Sequence, residues 1–554
     1  MPGPHGPTAL AGSHALDNGV RAPPFGLKAR ARPATFPRVN QLDELMACRE
    51  HPPRKIAEPC SIVIFGASGD LTARKLIPAL YHLFKDAHLP RECRVIGVAR
   101  RDKTDEAWRA ELRADLDKYS RTQPVDEQVW TAFAANVHYC RGDLTDDATY
   151  RSLQTLLASF GNPALRQNVL FYLATQPSQF AEVAGRLQAG DLLHKDPASG
   201  WQRMVIEKPF GHDLASAQDL NAQLLRHARE GQLYRIDHFL GKETVQNILM
   251  FRFGNAIFER LWHRDAVDHV QLTVSEKSGV GQRGGYYEEA GALRDMVQNH
   301  LLQVLSLIGM EPPASLNPED IRDEKVKLLK SIRPLKPEEV GRSAVRGQYF
   351  AGIVEGKPQP GYRQEAKVRP ESHVETYAAM RLFIDNWRWS GVPFYLRTGK
   401  CLPLGASEVR IQFRATPHIL FAAVCEETAN PNALTLRLQP NEGISLRFNG
   451  KVPGSNLGIR PVRMHFSYDS EFGAYTPEAY ERLLLDAVAG DATLFIRRDE
   501  VETAWSLLDP IREHWDQRGL TNREFYAAGT WGPAAAEELL ARDGHAWRDP
   551  QPMT

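Results

Sequence analysis

Ser61-Ile62-Val63-Ile64-Phe65 constrains the fold more than any other stretch of this 554-residue chain. The run is β-branched and aromatic, has no polar alternation and stops at Gly66, as a strand buried on both faces of a parallel sheet does. A helical pattern follows from Leu71 to about Phe84, with Leu76, Leu80, Leu83 and Phe84 on one side; Pro78 is expected to bend it. Strand-like runs return at Arg94–Ala99, Val137–Cys140, Asn168–Ala174 and Trp201–Glu207, with helical stretches at Glu106–Tyr119 and Gln179–Ala189 between them. This alternation predicts an α/β domain, a Rossmann-type parallel sheet with helices on both faces.

A chain this long exceeds what one core sustains, so two large domains are expected. After about residue 240 the texture changes. Val267–Val274, Glu408–Phe413, Leu434–Leu438, Ser445–Phe448 and Val462–Phe466 alternate in residue type with period two, while Gly291–Gly309 and Pro477–Ala489 are helical in pattern. That combination predicts an α+β domain built on a large, mainly antiparallel sheet with one covered face. The expected division is an extension at 1–57 rich in Pro, Gly and Ala, a dinucleotide-binding domain at 58–237, and a substrate and oligomerisation domain at 238–545.

Charge narrows the partners. Lys+Arg and Asp+Glu are equal at 68 each, so no whole-protein field favours nucleic acid or a membrane surface. Cys48, Cys60, Cys93, Cys140, Cys401 and Cys425 contain no C-x-x-C pair, which suits reduced structural thiols in a cytoplasm and points to no metal. No apolar run approaches the ~18 residues of a membrane span, and no secretory signal pattern opens the chain.

Gly66-Ala67-Ser68-Gly69-Asp70-Leu71 lies between a buried strand and an amphipathic helix, where glycines let the backbone approach a pyrophosphate and helix N–H groups face it. The second strand runs into Arg100-Arg101 instead of an acid, and cations there suit the 2′-phosphate of NADP better than the bare ribose of NAD. Glu207-Lys208-Pro209-Phe210-Gly211 follows another strand, presenting Lys208 at the carboxyl end of the sheet. Arg235-Ile236-Asp237-His238-Phe239-Leu240-Gly241-Lys242-Glu243 brings together a carboxylate, an imidazole and mobile cations, a mixture that can hold an anion beside a proton-transfer site. His300, on the helical stretch with Asp295, lies by α-helical spacing on the side of Met296, Val297 and Val304. Glu276-Lys277 ends one strand pattern, and Gly399-Lys400 follows the apolar Pro393–Leu396.

Taken in order, these motifs resemble the glucose-6-phosphate dehydrogenase family. The resemblance runs through Gly66–Leu71, Glu207–Gly211, Arg235–Glu243, Arg294–Gln303 and Val392–Lys400, and spans residue 58 to about 540. It implies oxidation of β-D-glucose 6-phosphate at C1 to 6-phospho-D-glucono-1,5-lactone with reduction of NADP, the entry step of the pentose phosphate pathway. It implies His300 as general base and Asp237 as the carboxylate that orients it. His238 and Lys242 then resemble phosphate ligands, Glu276, Asp295 and Lys400 sugar contacts, and Lys208 a residue between substrate and cofactor. Gly66, Ser68, Gly69, Asp70, Leu71 and Arg100 resemble the cofactor contacts, and a homodimer or homotetramer is implied. Two departures stand out. Phe239 replaces the family's usual Tyr, and Pro403–Ser407 lacks a cation that some relatives carry.

Overall fold

A computed structural model describes residues 58–416, 431–455, 458–472 and 477–551. The extension expected over 1–57, with Cys48 in it, lies outside the described residues, as does Cys425. Six strands follow in order: β1 Cys60–Phe65, β2 Cys93–Ala99, β3 Val137–Arg141, β4 Val169–Leu173, β5 Gln202–Ile206 and β6 Leu233–Ile236. They pair in parallel in the order β6-β5-β4-β1-β2-β3, the chain reversing direction across the sheet between β3 and β4. β1 and β4 are buried throughout, the burial that their unbroken apolar runs predict. β6 has no such signature: Leu233-Tyr234-Arg235-Ile236 becomes a strand by docking on β5, and Arg235 is neutralised there by Glu230 at 2.6 Å.

The second sheet holds nine strands. Its members are β7 Val267–Ser275, β8 Ala344–Phe350, β11 Tyr377–Phe383, β12 Pro393–Gly399, β13 Ala406–Phe413, β14 Ala433–Gln439, β15 Gly443–Lys451, β16 Ile459–Ser467 and the short β18 Phe525–Ala527; β9 Gly352–Val354 and β10 Lys357–Gln359 form a separate hairpin. A second short late strand, β17 Phe495–Ile496, completes the set. The order is β16-β15-β14-β13-β7-β12-β11-β8-β18, with only β7–β12 and β8–β18 parallel. β17 joins the first sheet instead, antiparallel to β6, so late chain returns to close that sheet's edge.

The period-two alternation predicts one face in water, and here the central strands differ from it. His269, Gln271 and Thr273 of β7 are buried although polar. The chain end covers them: Gln271 Nε2 donates to the Ala546 carbonyl at 2.9 Å, Arg397 pairs with Asp549 at 2.8 Å, and Arg437 donates to the Gln551 carbonyl at 2.7 Å. Polar residues therefore alternate in the sequence because their partners are backbone and side chains of a strap, not because they face solvent.

Candidate active site

The glycine loop forms as its sequence implies. Gly66 has φ +87°, and a Cβ there would lie 2.2 Å from the Ala174 carbonyl oxygen, so the turn out of β1 admits no side chain. The Gly66 N–H donates to Val98 at 3.0 Å and the Gly69 N–H to Gly66 at 2.9 Å, tying the loop to the carboxyl ends of β1 and β2. The helix beyond opens as a π-helical turn, Thr72–Leu76, and becomes an α-helix at Ile77–Lys85 with Pro78 in its first turn. Pro78 falls at the change of winding, where its missing N–H is tolerated, and not in the middle of an α-helix. Ser68 is half-buried and Gly69 and Asp70 are exposed, the Asp70 carboxylate lying 2.7 Å from Arg74. Arg100 follows β2 with its side chain 81% exposed, 3.9 Å from Asp143.

A cavity of about 600 Å³ opens between the carboxyl ends of β5 and β6 and the large sheet. Lys208, His238, Lys242, Glu276, Asp295, His300 and Lys400 all line it; the glycine loop and Arg100 do not. The stretch that carries His300 is where structure and α-helical spacing part. Leu293–Leu301 is wound as a π-helix before the α-helix Leu302–Gly309 begins. Across the i→i+5 winding Asp295 and His300 both meet the cavity, and so does Met296, which α-spacing groups with His300; Val297 does not line it. Gly291 makes the entry to this helix possible: its φ is +63°, and a Cβ would collide with Glu375, whose Oε1 accepts the Leu293 N–H at 2.9 Å.

Asp237 leaves β6 into the interior. Its Oδ1 accepts the Phe239 N–H at 2.9 Å and faces His300 Nδ1 at 2.5 Å. Lys208 Nζ donates to His300 Nε2 at 3.0 Å, to Asp295 Oδ1 at 3.0 Å and to the Asp295 carbonyl at 3.1 Å. A carboxylate only accepts and an ammonium only donates, so the His300 proton sits on Nδ1 and the Nε2 lone pair is turned to the cavity side. Burial opposes charge on Asp237, but the His300 ring beside it holds the carboxyl well below the usual carboxylate range. Burial likewise pushes His300 down, opposed by Asp237 and reinforced by Lys208. Asp295 is also held low despite its burial, by Lys208 and Lys400.

The other wall is cationic and aromatic. The His238 ring meets His300 edge-on at 4.7 Å and has no hydrogen-bond partner among the described residues; burial drives its pKa well down. Phe239 stacks on His300 with centroids 4.2 Å apart, and Lys242 Nζ sits 3.7 Å from the Phe239 ring centroid. Lys242 also donates to Gln439 Oε1, and burial lowers its pKa to about 8. Lys400 pairs with Glu276 at 2.5 Å. Sequence patterns single out none of Lys75, Arg283, Gln439 and Tyr480, yet all four reach this cavity. Gln439 lies one residue beyond the strand pattern read at Leu434–Leu438; Tyr480 comes from a helix over 240 residues later than the segment it faces.

Among the described residues two groups have the donor types of a metal site. In the first, Asp237, His238 and His300, both ring nitrogens of His300 are already engaged by Asp237 and Lys208. In the second, Asp268, His269 and His545, the Gln271 amide is oriented by the Arg548 N–H on its oxygen and so donates to His269 Nε2 at 3.0 Å. The proton of His269 is thereby placed on Nδ1, facing Asp268 at 2.7 Å, which describes a hydrogen-bonded cluster.

A dinucleotide-type parallel sheet with a carboxylate-backed imidazole at its strand ends defines a nicotinamide-dependent dehydrogenase, in which hydride and proton leave the same carbinol. Comparison with known proteins makes this particular. Residues 63–247 match the glucose-6-phosphate dehydrogenase NAD binding domain, and residues 249–548 match the glucose-6-phosphate dehydrogenase C-terminal domain. The chain is 46% identical over 496 residues to a glucose-6-phosphate 1-dehydrogenase of Chlamydia muridarum, covering 88% of this chain and 97% of the relative. It is 45% identical over 490 residues to that of Mycolicibacterium smegmatis, covering 88% and 97%. A solved structure of glucose-6-phosphate dehydrogenase in complex with its substrate glucose 6-phosphate superposes with a TM-score of 0.81 at 36% identity, covering 89% of this chain and 99% of that one. The chain belongs to the glucose-6-phosphate dehydrogenase family, and its activity is the family's: oxidation of glucose 6-phosphate with hydride transfer to NADP.

Proposed function

We propose that the cavity divides this reaction between its two walls. Asp237 and His300 form the proton-transfer pair: Nε2 of His300 accepts the C1 hydroxyl proton as hydride leaves for the nicotinamide, and Asp237 stabilises the imidazolium that forms. The observation that carries this reading is the 2.5 Å Asp237–His300 contact, which leaves Nε2 as the basic atom. Lys208, which donates to Nε2, yields that position to substrate and then lies between sugar and nicotinamide. His238 and Lys242 bind the phosphate, and Glu276, Asp295 and Lys400 take sugar hydroxyls. Gly66, Ser68, Gly69, Asp70 and Leu71 form the pyrophosphate turn, with Arg100 as the cation for the 2′-phosphate of NADP.

The division into 58–237 for the cofactor and 238–545 for substrate and assembly is supported by the six parallel strands ending at β6, with β17 of the later segment returning to that sheet's edge. A homodimer or homotetramer is proposed through the large sheet, whose edge strand β16 exposes Met464. A cytoplasmic setting is supported by four free, buried thiols at Cys60, Cys93, Cys140 and Cys401; among the described residues no helix is long and apolar enough to cross a membrane.

The test is NADPH absorbance with glucose 6-phosphate, glucose and 6-phosphogluconate, each with NADP and with NAD. Turnover of glucose 6-phosphate with NADP is expected. Preference for free glucose would overturn the phosphate assignment, and no turnover with any sugar would leave a catalytically silent NADP-binding protein.

A further inference from the structure

Tyr286 touches the site without any role so far. It lies on the helix Gly284–Ala292, and its hydroxyl donates to Asp295 Oδ1 at 3.0 Å. Lys208 Nζ takes the same oxygen. Two donors on Oδ1 leave Oδ2 of Asp295 with no hydrogen-bond partner among the described residues, on a side chain that lines the cavity. The phenol is itself held in place. The Arg283 guanidinium lies 4.8 Å from its ring centroid, and Gly291 with Glu375 locks the bend between this helix and the π-helix of Asp295. Burial raises the Tyr286 hydroxyl above its ordinary range, so it remains a donor throughout the working pH.

We propose that Tyr286 is a positioning residue for sugar recognition, which fixes the rotation of Asp295 so that Oδ2 accepts one hydroxyl of the hexose ring. A carboxylate with one oxygen pinned twice presents the other in a single direction, and epimers that move the hydroxyl out of that direction leave Oδ2 without a donor. Lys208 cannot do this alone, because it must move when substrate arrives at His300; Tyr286 contacts neither His300 nor, in this reading, the substrate. The inference rests on the assignment of Asp295 to a sugar hydroxyl.

Tyr286→Phe tests it, assayed with glucose 6-phosphate, mannose 6-phosphate, galactose 6-phosphate and 2-deoxyglucose 6-phosphate. Loss of one hydrogen bond to a charged group is expected to raise KM for glucose 6-phosphate about tenfold. Its preference over at least one of the three analogues should fall by a similar factor, with kcat and its pH profile nearly unchanged. A purely structural role would lower the melting temperature and leave the preference intact, which would overturn the inference. Asp295→Asn provides the reference. If it alters the preference and Tyr286→Phe does not, Tyr286 is no positioning residue; if neither alters it, the assignment of Asp295 fails and the inference falls with it. In the Asp295→Asn background the Tyr286→Phe effect should largely disappear, and full additivity would overturn the coupling.

Discussion

The Asp237–His300 wall and the Arg100 rim of this molecule are built on opposite electrostatic terms. Asp237 and His300 are almost wholly buried and in contact at 2.5 Å, with partners on both ring nitrogens and on Asp237 Oδ1 but none on Oδ2 among the described residues. Arg100 stands 81% exposed, 3.9 Å from its nearest carboxylate. In the low-dielectric interior a single proton or charge reshapes the energetics, whereas at the rim water and salt screen it. The difference teaches where binding energy is specific and where it is additive: under the proposed assignment the chemistry falls to the buried wall, and the open rim would steer and select the dinucleotide.

Four measurements would break or sharpen that contrast. His300→Ala should lower kcat by about 10²–10⁴-fold, the usual worth of a positioned general base; a kcat within tenfold of the parent would remove His300 from the chemistry. Phe239→Tyr should restore a donor beside the phosphate and lower KM for glucose 6-phosphate by about tenfold, and an unchanged or higher KM would show that the Phe239 stack on His300 matters more than the missing hydroxyl. Lys242 carries its charge below about pH 8 and loses it above, because burial lowers its pKa to about 8. KM should therefore climb as pH rises through that value, and Lys242→Arg, charged throughout, should flatten the climb; an identical pH dependence in the two proteins would take Lys242 out of phosphate binding. The smallest effect belongs to the rim. Arg100→Ala should raise KM for NADP only a few-fold, as exposed charge pairs contribute about 0.2–1 kcal/mol, with KM for NAD unmoved and the difference shrinking at high salt. A large, salt-insensitive loss would mean that Arg100 is buried when NADP binds.

Much of this was legible in the chain. β1, β2 and β4 are apolar runs that bury on both sides wherever the sheet is parallel, and Gly66 must be glycine because its turn admits no Cβ. Motifs of adjacent residues, Asp237-His238 and Glu207-Lys208, announced charge chemistry because such groups need partners wherever they are buried. β6, β8, β11 and β17 had no comparable signal, since their strand character comes from docking against neighbours distant in sequence.

Sequence alone determined the class of each sheet, the glycine turn and the residue types able to move a proton or hold a phosphate, since these depend on local periodicity and on chemistry fixed by residue type. Only the tertiary structure decided the π winding that carries Asp295 and His300, the strap that buries the polar face of β7, the arrival of Gln439 and Tyr480 at one cavity, and the placing of Tyr286 against Asp295. Those outcomes depend on packing free energy summed over the whole chain, to which no single segment of the sequence holds the key.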